Sequence, residues 1–299
     1  TAYNSRFPAS VGISGMASSP REIVSGIERL ATLPAVYFTV KRIVEDPRSS
    51  VIDLTKALAG DPALTAQLLR VVNSPLYAQS RPVETVSRAV TILGMQQVHD
   101  LVLAATLASA FARIRVTDMD MAKFWRGSVH RAVAARTLAE CCEVVDKERL
   151  FVQGLLSDVG HLVLFMRLPL QAIQAQQLAE RTGEPVHAVE QRLLGCDYAQ
   201  IGAALLERWR LPGSICAPIG EHTLSAVGSP VRLDTALIHI AVALAEAVRR
   251  GGDATAWIVP AVWDVVGLDA GCLPEVTEKS AAEVDMVTAL FFPNVGAAA

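Results

Sequence analysis

The chain has 299 residues, of which 52% are hydrophobic and 19% are charged, and its formal net charge is −3. This composition is typical of a globular protein and excludes the disordered class, whose chains are poor in hydrophobic residues. A chain of this length forms one large or two small domains and can bury a sizeable core.

The same bulk properties limit the partners and the location that we expect. The chain is mildly acidic and has no basic stripe, so we expect no nucleic acid partner. The longest apolar run, Leu101 to Phe111, has about 11 residues where a bilayer span needs about 20, so we expect no membrane span. The sequence shows no secretory signal, and its five cysteines lack CxxC spacing, which favours reduced thiols and a cytoplasmic location.

The N-terminal part begins with a segment that lacks periodicity. Residues 1–20 are rich in Ser, Gly, Ala and Pro, and we expect a mobile arm. Helical periodicity starts at Pro20 and includes a segment between Pro34 and Asp46, although residues 36–40 alone also fit a strand. Ser50-x-x-Asp53 has the pattern of a capping box, and Gly60 is the expected C′ residue of that short helix.

Asp61 and Pro62 predict the start of the next helix, as its N-cap and its first helical residue. Leu68 lies on the apolar face of this helix. Asn73 ends the helix, and two interpretations of its amide stay open. It either caps the helix end or is a buried group that ties the N-terminal bundle to the second half of the chain.

The rest of the chain also predicts helices. A short helix, Val86 to Leu93, ends at Gly94, and a long apolar helix covers residues 96–111. A polar connection, Arg113 to Met119, marks the expected internal boundary, so the two predicted halves cover residues 21–115 and 119–292. In the second half we expect helices at 124–142, 147–166, 169–181, 186–193, 197–209 and 230–249, then a final helical group that ends at Phe292. The prediction is an all-α fold in which an N-terminal helical bundle packs on a second helical bundle.

One segment of the second half carries the most specific motif. Gly154-Leu-Leu-Ser-Asp-Val-Gly-His161 resembles the sequence around the metal-binding His-Asp pair of HD-type phosphohydrolases, but Ser157 stands in place of the His. Further motifs resemble the HDOD family, the HD-related output domain of bacterial signalling proteins, over roughly residues 30–225. These motifs are Leu33-Pro34, Asp61 to Ser74, Ser87 to Gly94, Trp125 to Ser128, Asp197-Tyr198, Trp209 to Pro212 and Glu221-His222.

The resemblance implies an all-helical fold with a degenerate HD metal site. In HD phosphohydrolases a His, a His-Asp pair and a later Asp hold one or two metals. The resemblance places these positions at Gly127, at Ser157 and Asp158, and at Val242. Further candidate residues are His130, one turn from Gly127, and Glu221 and His222, where the family often has two His.

These replacements predict that the chain binds no metal and uses no cofactor. A serine hydroxyl is a poor ligand for a transition metal, and only Asp158 of the implied ligand set remains. His130, His161, Glu221 and His222 could in principle converge on Asp158. Asp158 is then either a structural carboxylate, hydrogen-bonded to helix N-termini or to a nearby His, or the floor of a pocket for a small ligand. We favour the structural interpretation.

The function that we expect is therefore a non-catalytic output module of a bacterial signalling pathway, acting through contacts with a protein partner. Two alternatives stay open: a metal-dependent phosphodiesterase of the HD or HD-GYP type, and a nucleotide sensor that kept the pocket without hydrolysis. The sequence has no GxSxG, HExxH, Walker or GxGxxG motif that would indicate another reaction. A small nucleotide ligand is possible but is not favoured.

Overall fold

The computed structural model of the chain describes residues 19–25, 33–77, 79–111, 114–224 and 230–293. Within these ranges the regular elements are α-helices and short 3₁₀ helices, and there is no strand. This confirms the predicted all-α class. The helices are α1 (Pro20–Ser25), α2 (Ala35–Glu45), α3 (Val51–Ala59), α4 (Pro62–Val72), α5 (Val86–Leu93), α6 (Met95–Phe111), α7 (Met121–Cys141), α8 (Lys147–Leu156), α9 (Val159–Arg167), α10 (Pro169–Thr182), α11 (Val186–Leu194), α12 (Tyr198–Arg208), α13 (Gly213–Glu221), α14 (Leu233–Arg250), α15 (Ala261–Val266) and α16 (Leu273–Phe291).

The helix starts near residue 50 follow the sequence signals. The Ser50 hydroxyl accepts from the Asp53 amide, and the Asp53 carboxylate accepts from the Ser50 amide, which confirms the capping box of α3. Asp61 accepts from the Leu64 amide at 3.0 Å and caps α4, with Pro62 as the first helical residue. Gly60 differs from the expectation, because its φ of −71° is right-handed. Only Gly60 and Asp61 join α3 to α4, so the chain continues without a left-handed turn.

The amide of Asn73 acts within the N-terminal half. It donates to the carbonyl oxygens of Leu69 and Val83 and accepts from the Val83 amide. Asn73 is exposed, so the interpretation as a buried tie to the second half is wrong. Its side chain caps the end of α4 and holds the loop that leads to α5.

Most of the predicted helices of the second half are present, with shifted ends. Asp120 accepts from two amides of the first turn of α7, so that helix starts three residues before the predicted residue 124. The predicted helix at 147–166 is broken into α8 and α9 at Ser157 and Asp158. Helix α13 was not predicted, because it starts at Gly213 and contains Pro218, and both residues disfavour a helix interior.

Two of the predictions on chain organisation fall partly outside the described residues. Residues 1–18 of the expected arm lie outside the described residues, and α1 already begins at Pro20. Residues 112–113 at the start of the expected connection are also outside, and residues 114–120 contain turns without a helix.

A continuous hydrophobic core joins the N-terminal helices to the later ones. Phe111, at the end of α6, lies 5.3 Å from the Trp209 ring and 5.7 Å from the Trp125 ring, measured between ring centroids. Trp125 stacks on Phe292 at 4.4 Å, which fixes the chain after α16 against α7. These buried rings pack elements from distant parts of the sequence around α6 and α7.

Residues 147–167, which form α8 and α9, are long and apolar enough to cross a membrane by length and composition. Their mean hydropathy reaches 1.3, but 83% of the apolar window is buried inside the fold. A core segment of a helical bundle has these properties, because its apolar side chains pack against neighbouring helices.

The α4 helix provides a test of the packing. Leu68 is 1% exposed, so Leu68→Ala should lower the free energy of unfolding by about 2–5 kcal/mol through loss of packing and a residual cavity. Asp61→Ala removes only the cap and should cost about 1 kcal/mol. Urea unfolding of both variants measures the difference. Equal effects of the two substitutions would contradict the assigned roles.

Candidate functional site

Two glycines of the Gly154–His161 motif allow helices to approach closely. A Cβ atom at Gly154 would lie 2.5 Å from the Arg131 carbonyl oxygen, so α8 packs directly on the backbone of α7. A Cβ atom at Gly160 would overlap the carbonyl oxygen of Tyr198, so α9 packs directly on the start of α12. The motif therefore places the turn between α8 and α9 against both α7 and α12.

The polar pair of the motif forms that turn. The buried Ser157 donates its hydroxyl to the Gly154 carbonyl oxygen at 2.8 Å, so the hydroxyl is used by the end of α8. Asp158 occupies the N-cap position of α9, but its carboxylate accepts no bond from an amide of that helix. This carboxylate instead bonds to side chains of α7 and α9.

Asp158 forms an ion pair with a residue that the sequence did not single out. The Arg131 guanidinium donates to Asp158 Oδ2 at 2.6 Å, and the side chains are 13% and 17% exposed. Arg131 follows Gly127 by four residues and therefore shares its face of α7. A Cβ atom at Gly127 would lie 3.6 Å from an Arg131 terminal nitrogen. The guanidinium thus lies next to the position that the resemblance assigned to the first metal ligand.

His161 bonds to Asp158 and to a second carboxylate, that of Glu190. Its Nδ1 lies 2.5 Å from Asp158 Oδ1 and its Nε2 lies 3.0 Å from Glu190 Oε1, while Glu190 Oε2 accepts from the Tyr198 amide at 2.9 Å. Burial lowers the pKa of His161, but the two carboxylates outweigh burial and raise it to about 10. His161 is therefore an imidazolium at neutral pH, and both of its nitrogens donate.

The same interactions keep Asp158 ionised. Burial raises the pKa of Asp158, but Arg131 and then His161 outweigh burial and lower it to about 2. Arg131, Asp158, His161 and Glu190 thus form a row of charges of alternating sign, which we call the charged cluster. Each charge in this cluster has an opposite charge as its neighbour, so the cluster can be buried without an unpaired ion.

The donor set of this site does not fit a metal ion. A metal-bound imidazole must offer a nitrogen lone pair, and both nitrogens of His161 are engaged by carboxylates. Asp158 already accepts from a guanidinium, which is a fixed positive charge. The described part of the chain contains no group of three or more His, Cys, Asp or Glu residues arranged to hold a metal.

The structure brings only some of the sequence-predicted residues together. Gly127, His130, Asp158 and His161 line one cavity of about 650 Å³, together with residues of α14. Burial, and then Arg131 and Arg126, lower the pKa of His130 to about 4, so its ring is neutral. Ser157 does not line this cavity, and its hydroxyl donates to the Gly154 carbonyl oxygen instead.

The remaining candidates lie elsewhere. His222 and Val242 line a second cavity, on the other side of Tyr198. Glu221 faces the start of α14, where it accepts from Thr235 and pairs with Arg232 at 3.8 Å. The rings of His161, which lines the first cavity, and Tyr198, which lines the second, stack at 4.2 Å, and Glu246 lines both cavities.

Sequence reasoning missed Arg131 and Glu190. Arg131 could have been found from its spacing, because it lies one helical turn after Gly127, where a glycine leaves room for a long side chain. Glu190 carried no such signal. It lies 29 residues after His161 in another helix, and the tertiary packing of α11 brings its carboxylate to the imidazole.

Comparison with known proteins relates this architecture to one family. The family model described as HDOD domain matches residues 30–224. A protein of Treponema pallidum (strain Nichols), described as an uncharacterized protein, is 24% identical over 204 residues, which is 67% of this chain and 39% of that protein. The chain therefore spans well under half the length of this curated relative.

Solved structures show the same fold. A candidate phosphohydrolase from Shewanella amazonensis SB2B is similar with a TM-score of 0.68 and 25% identity, over 94% of this chain and 98% of that one. An HDOD domain protein with unknown function from Geobacter sulfurreducens has a TM-score of 0.65 and 24% identity, over 92% of this chain and 95% of that one. The arrangement of helices is shared across these proteins.

The close approach at Gly160 is testable with a matched glycine. Gly160→Ala should lower the free energy of unfolding by about 3 kcal/mol or more, because the added Cβ overlaps backbone of α12 that cannot move alone. At Gly213, by contrast, a Cβ atom would meet nothing within 4 Å, so Gly213→Ala should change stability by less than about 0.5 kcal/mol. Urea unfolding compares the two variants. A neutral Gly160→Ala would contradict the packing described here.

The charge of His161 is testable by its titration. Its folded-state pKa of about 10 lies above the ordinary 6.5, so its stabilising contribution is complete below pH 6.5 and is lost as pH rises towards 10. The pKa of Asp158 is lowered to about 2 from 3.8, so its contribution is present above pH 3.8 and is lost as pH falls towards 2. Nitrogen NMR should show the His161 ring doubly protonated from pH 5.5 to 8.

A pair of glutamate variants controls this measurement. Glu190→Gln removes a carboxylate that bonds to His161 and should bring its titration closer to neutral pH. Glu184→Gln alters an exposed pair with Arg192 and should leave the His161 signal unchanged. Titration of wild-type His161 near pH 6.5 would show that the cluster does not hold the proton.

Proposed function

This chain belongs to the HDOD domain family, a signalling-related HD-like domain, and we propose that it is a non-catalytic signal-transduction module that acts through contacts with a protein partner. The ion pair between Arg131 and Asp158 carries the first part of this proposal. A guanidinium stays protonated at every physiological pH, so it provides a permanent positive charge beside Asp158. Metal binding there would require displacement of Arg131 and burial of a further positive charge beside His161.

The protonation states of the site also disfavour hydrolysis by acid–base chemistry. A general base works best when its pKa lies near the working pH, and the pKa of Asp158 is lowered to about 2. His161 already holds a proton on each nitrogen and cannot accept another. These states leave the charged cluster as a structural connection among α7, α9 and α11.

The second part of the proposal, output through protein contacts, is supported by the family, whose domain is signalling-related. A signalling domain that carries out no reaction transmits its state by binding. The net charge of −3 gives no electrostatic support for a nucleic acid partner.

Hydrolysis and partner binding can be measured on the same variants. The purified full chain should not hydrolyse bis(4-nitrophenyl) phosphate with Mn²⁺, Fe²⁺ or Zn²⁺ present. Tagged wild type and Asp158→Asn, cross-linked in the native bacterium and identified by mass spectrometry, should capture the same partner. Circular dichroism at the assay temperature checks that Asp158→Asn is still folded, since the substitution removes the carboxylate that pairs with Arg131 and one of the two that pair with His161.

Two outcomes would overturn the proposal. Metal-dependent hydrolysis that is abolished by Asp158→Asn would assign a phosphodiesterase. Loss of partner capture in folded Asp158→Asn would mean that the pocket itself controls output, as expected of a ligand sensor.

A further inference from the structure

The second cavity is separate from the charged cluster. It has a volume of about 570 Å³ and lies between the N-terminus of α11, the middle of α14 and the segment 256–260 before α15. Pockets of this size accommodate small molecules, which typically bind in cavities of about 300–1,000 Å³. Tyr198 forms the wall towards the charged cluster, because its ring stacks on His161.

The walls of this cavity are mainly apolar and contain aromatic rings. Val186 and Val242 contribute from α11 and α14, and the segment before α15 contributes Trp257, Ile258 and Val259. Burial of an apolar ligand against such walls is favourable in proportion to the apolar area removed from water. Aromatic side chains additionally favour ligands that contain rings.

The two buried histidines of the cavity are neutral. His222 Nδ1 donates to the Ile219 carbonyl oxygen, so Nε2 is left to accept from the Tyr198 hydroxyl at 3.0 Å. His239 Nδ1 donates to the His222 carbonyl oxygen, and its Nε2 accepts from the Val259 amide. Burial lowers the pKa of His222 to about 4 and also lowers the pKa of His239.

Among the described residues, Glu246 is the one carboxylate that lines this cavity, and it is already neutralised. Glu246 accepts from Arg249 and from Arg250, and the Arg250 guanidinium lies 4.9 Å from the centroid of the Trp257 ring. A charged ligand would therefore lose its hydration without gaining an unpaired opposite charge, which is costly. The cavity accordingly selects against ions of either sign.

His187 provides a polar group that remains available. It lies at the start of α11 and lines the cavity, and within the described ranges its ring forms no hydrogen bond. Burial lowers the pKa of His187, so its neutral ring can donate from one nitrogen and accept at the other. A single polar group in an apolar pocket fixes the orientation of a ligand.

We propose that this cavity binds an uncharged, mainly apolar small molecule that contains a ring system and one polar group, which hydrogen-bonds to His187. The occupant would lie against Tyr198, whose ring also stacks on His161 of the charged cluster. This site does not depend on how the module contacts its partner, so failure of the ligand test leaves the proposed function unchanged.

Two dyes that differ by one charge test the proposal on the full chain. N-Phenyl-1-naphthylamine is uncharged, has one N–H group and becomes fluorescent in apolar sites. 8-Anilino-1-naphthalenesulfonate has the same rings and adds a sulfonate. We expect saturable binding of one uncharged dye per chain, and an affinity for the sulfonate that is weaker by at least about tenfold. No saturable binding of the uncharged dye, or equal binding of both, would overturn the proposal.

Matched variants locate the dye. Val242→Trp places a large side chain in the cavity and should abolish binding of the uncharged dye. Val248→Trp, in the same helix but 54% exposed beside the first cavity, should leave it unchanged. His187→Phe keeps a ring but removes the hydrogen bond and should weaken binding by about fivefold.

The melting temperature and circular dichroism establish whether each variant is folded. Unchanged dye affinity in folded Val242→Trp would place the dye elsewhere and overturn the proposal. Unchanged affinity in folded His187→Phe would remove the assigned hydrogen bond, and with it the proposed polar group of the ligand. If Val242→Trp fails to fold, the His187 variant and the two-dye comparison still decide the outcome.

Discussion

The ion pair between Arg131 and Asp158 determines what the centre of this protein can do. A carboxylate buried between helices needs a cation, and in this chain the cation is a covalently attached guanidinium. Because Asp158 stays ionised, it holds His161 in its protonated form, and His161 in turn accommodates the buried carboxylate of Glu190. Charges contributed by α7, α9 and α11 therefore stabilise one another, and the Tyr198 backbone amide adds a hydrogen bond to Glu190.

Close backbone packing makes this pairing geometrically feasible. Gly154 lets α8 approach α7 at Arg131, and Gly160 lets α9 approach α12 at Tyr198, so the turn at Asp158 is fixed from two sides. The same packing stacks Tyr198 on His161 and divides the interior into a charged cavity and a neutral one. The neutral cavity can thus differ in ligand chemistry from its neighbour although the two share a wall.

Much of the fold could be predicted from the sequence, since caps and periodicity are local signals. The capping box at Ser50 and the N-cap at Asp61 are in place, while the break between α8 and α9 was missed because both sides of it are helical and apolar. The resemblance could indicate that Gly127 and Ser157 lack the side chain of a metal ligand, but not which charged groups surround Asp158 instead. Arg131 and Glu190 reach Asp158 and His161 through tertiary packing, which residue spacing alone does not specify. Val242 was aligned to the site by resemblance, yet it lines the neutral cavity.

Calorimetric titration of the purified full chain with Mn²⁺ at neutral pH, after dialysis against a chelator, tests most directly whether Arg131 takes the place of a metal. A fixed guanidinium beside an imidazolium should leave no site of transition-metal affinity, so we expect only the heat of dilution. Binding of one or two Mn²⁺ ions per chain that is lost in folded Asp158→Asn would contradict this account, because it would show that the metal displaces Arg131.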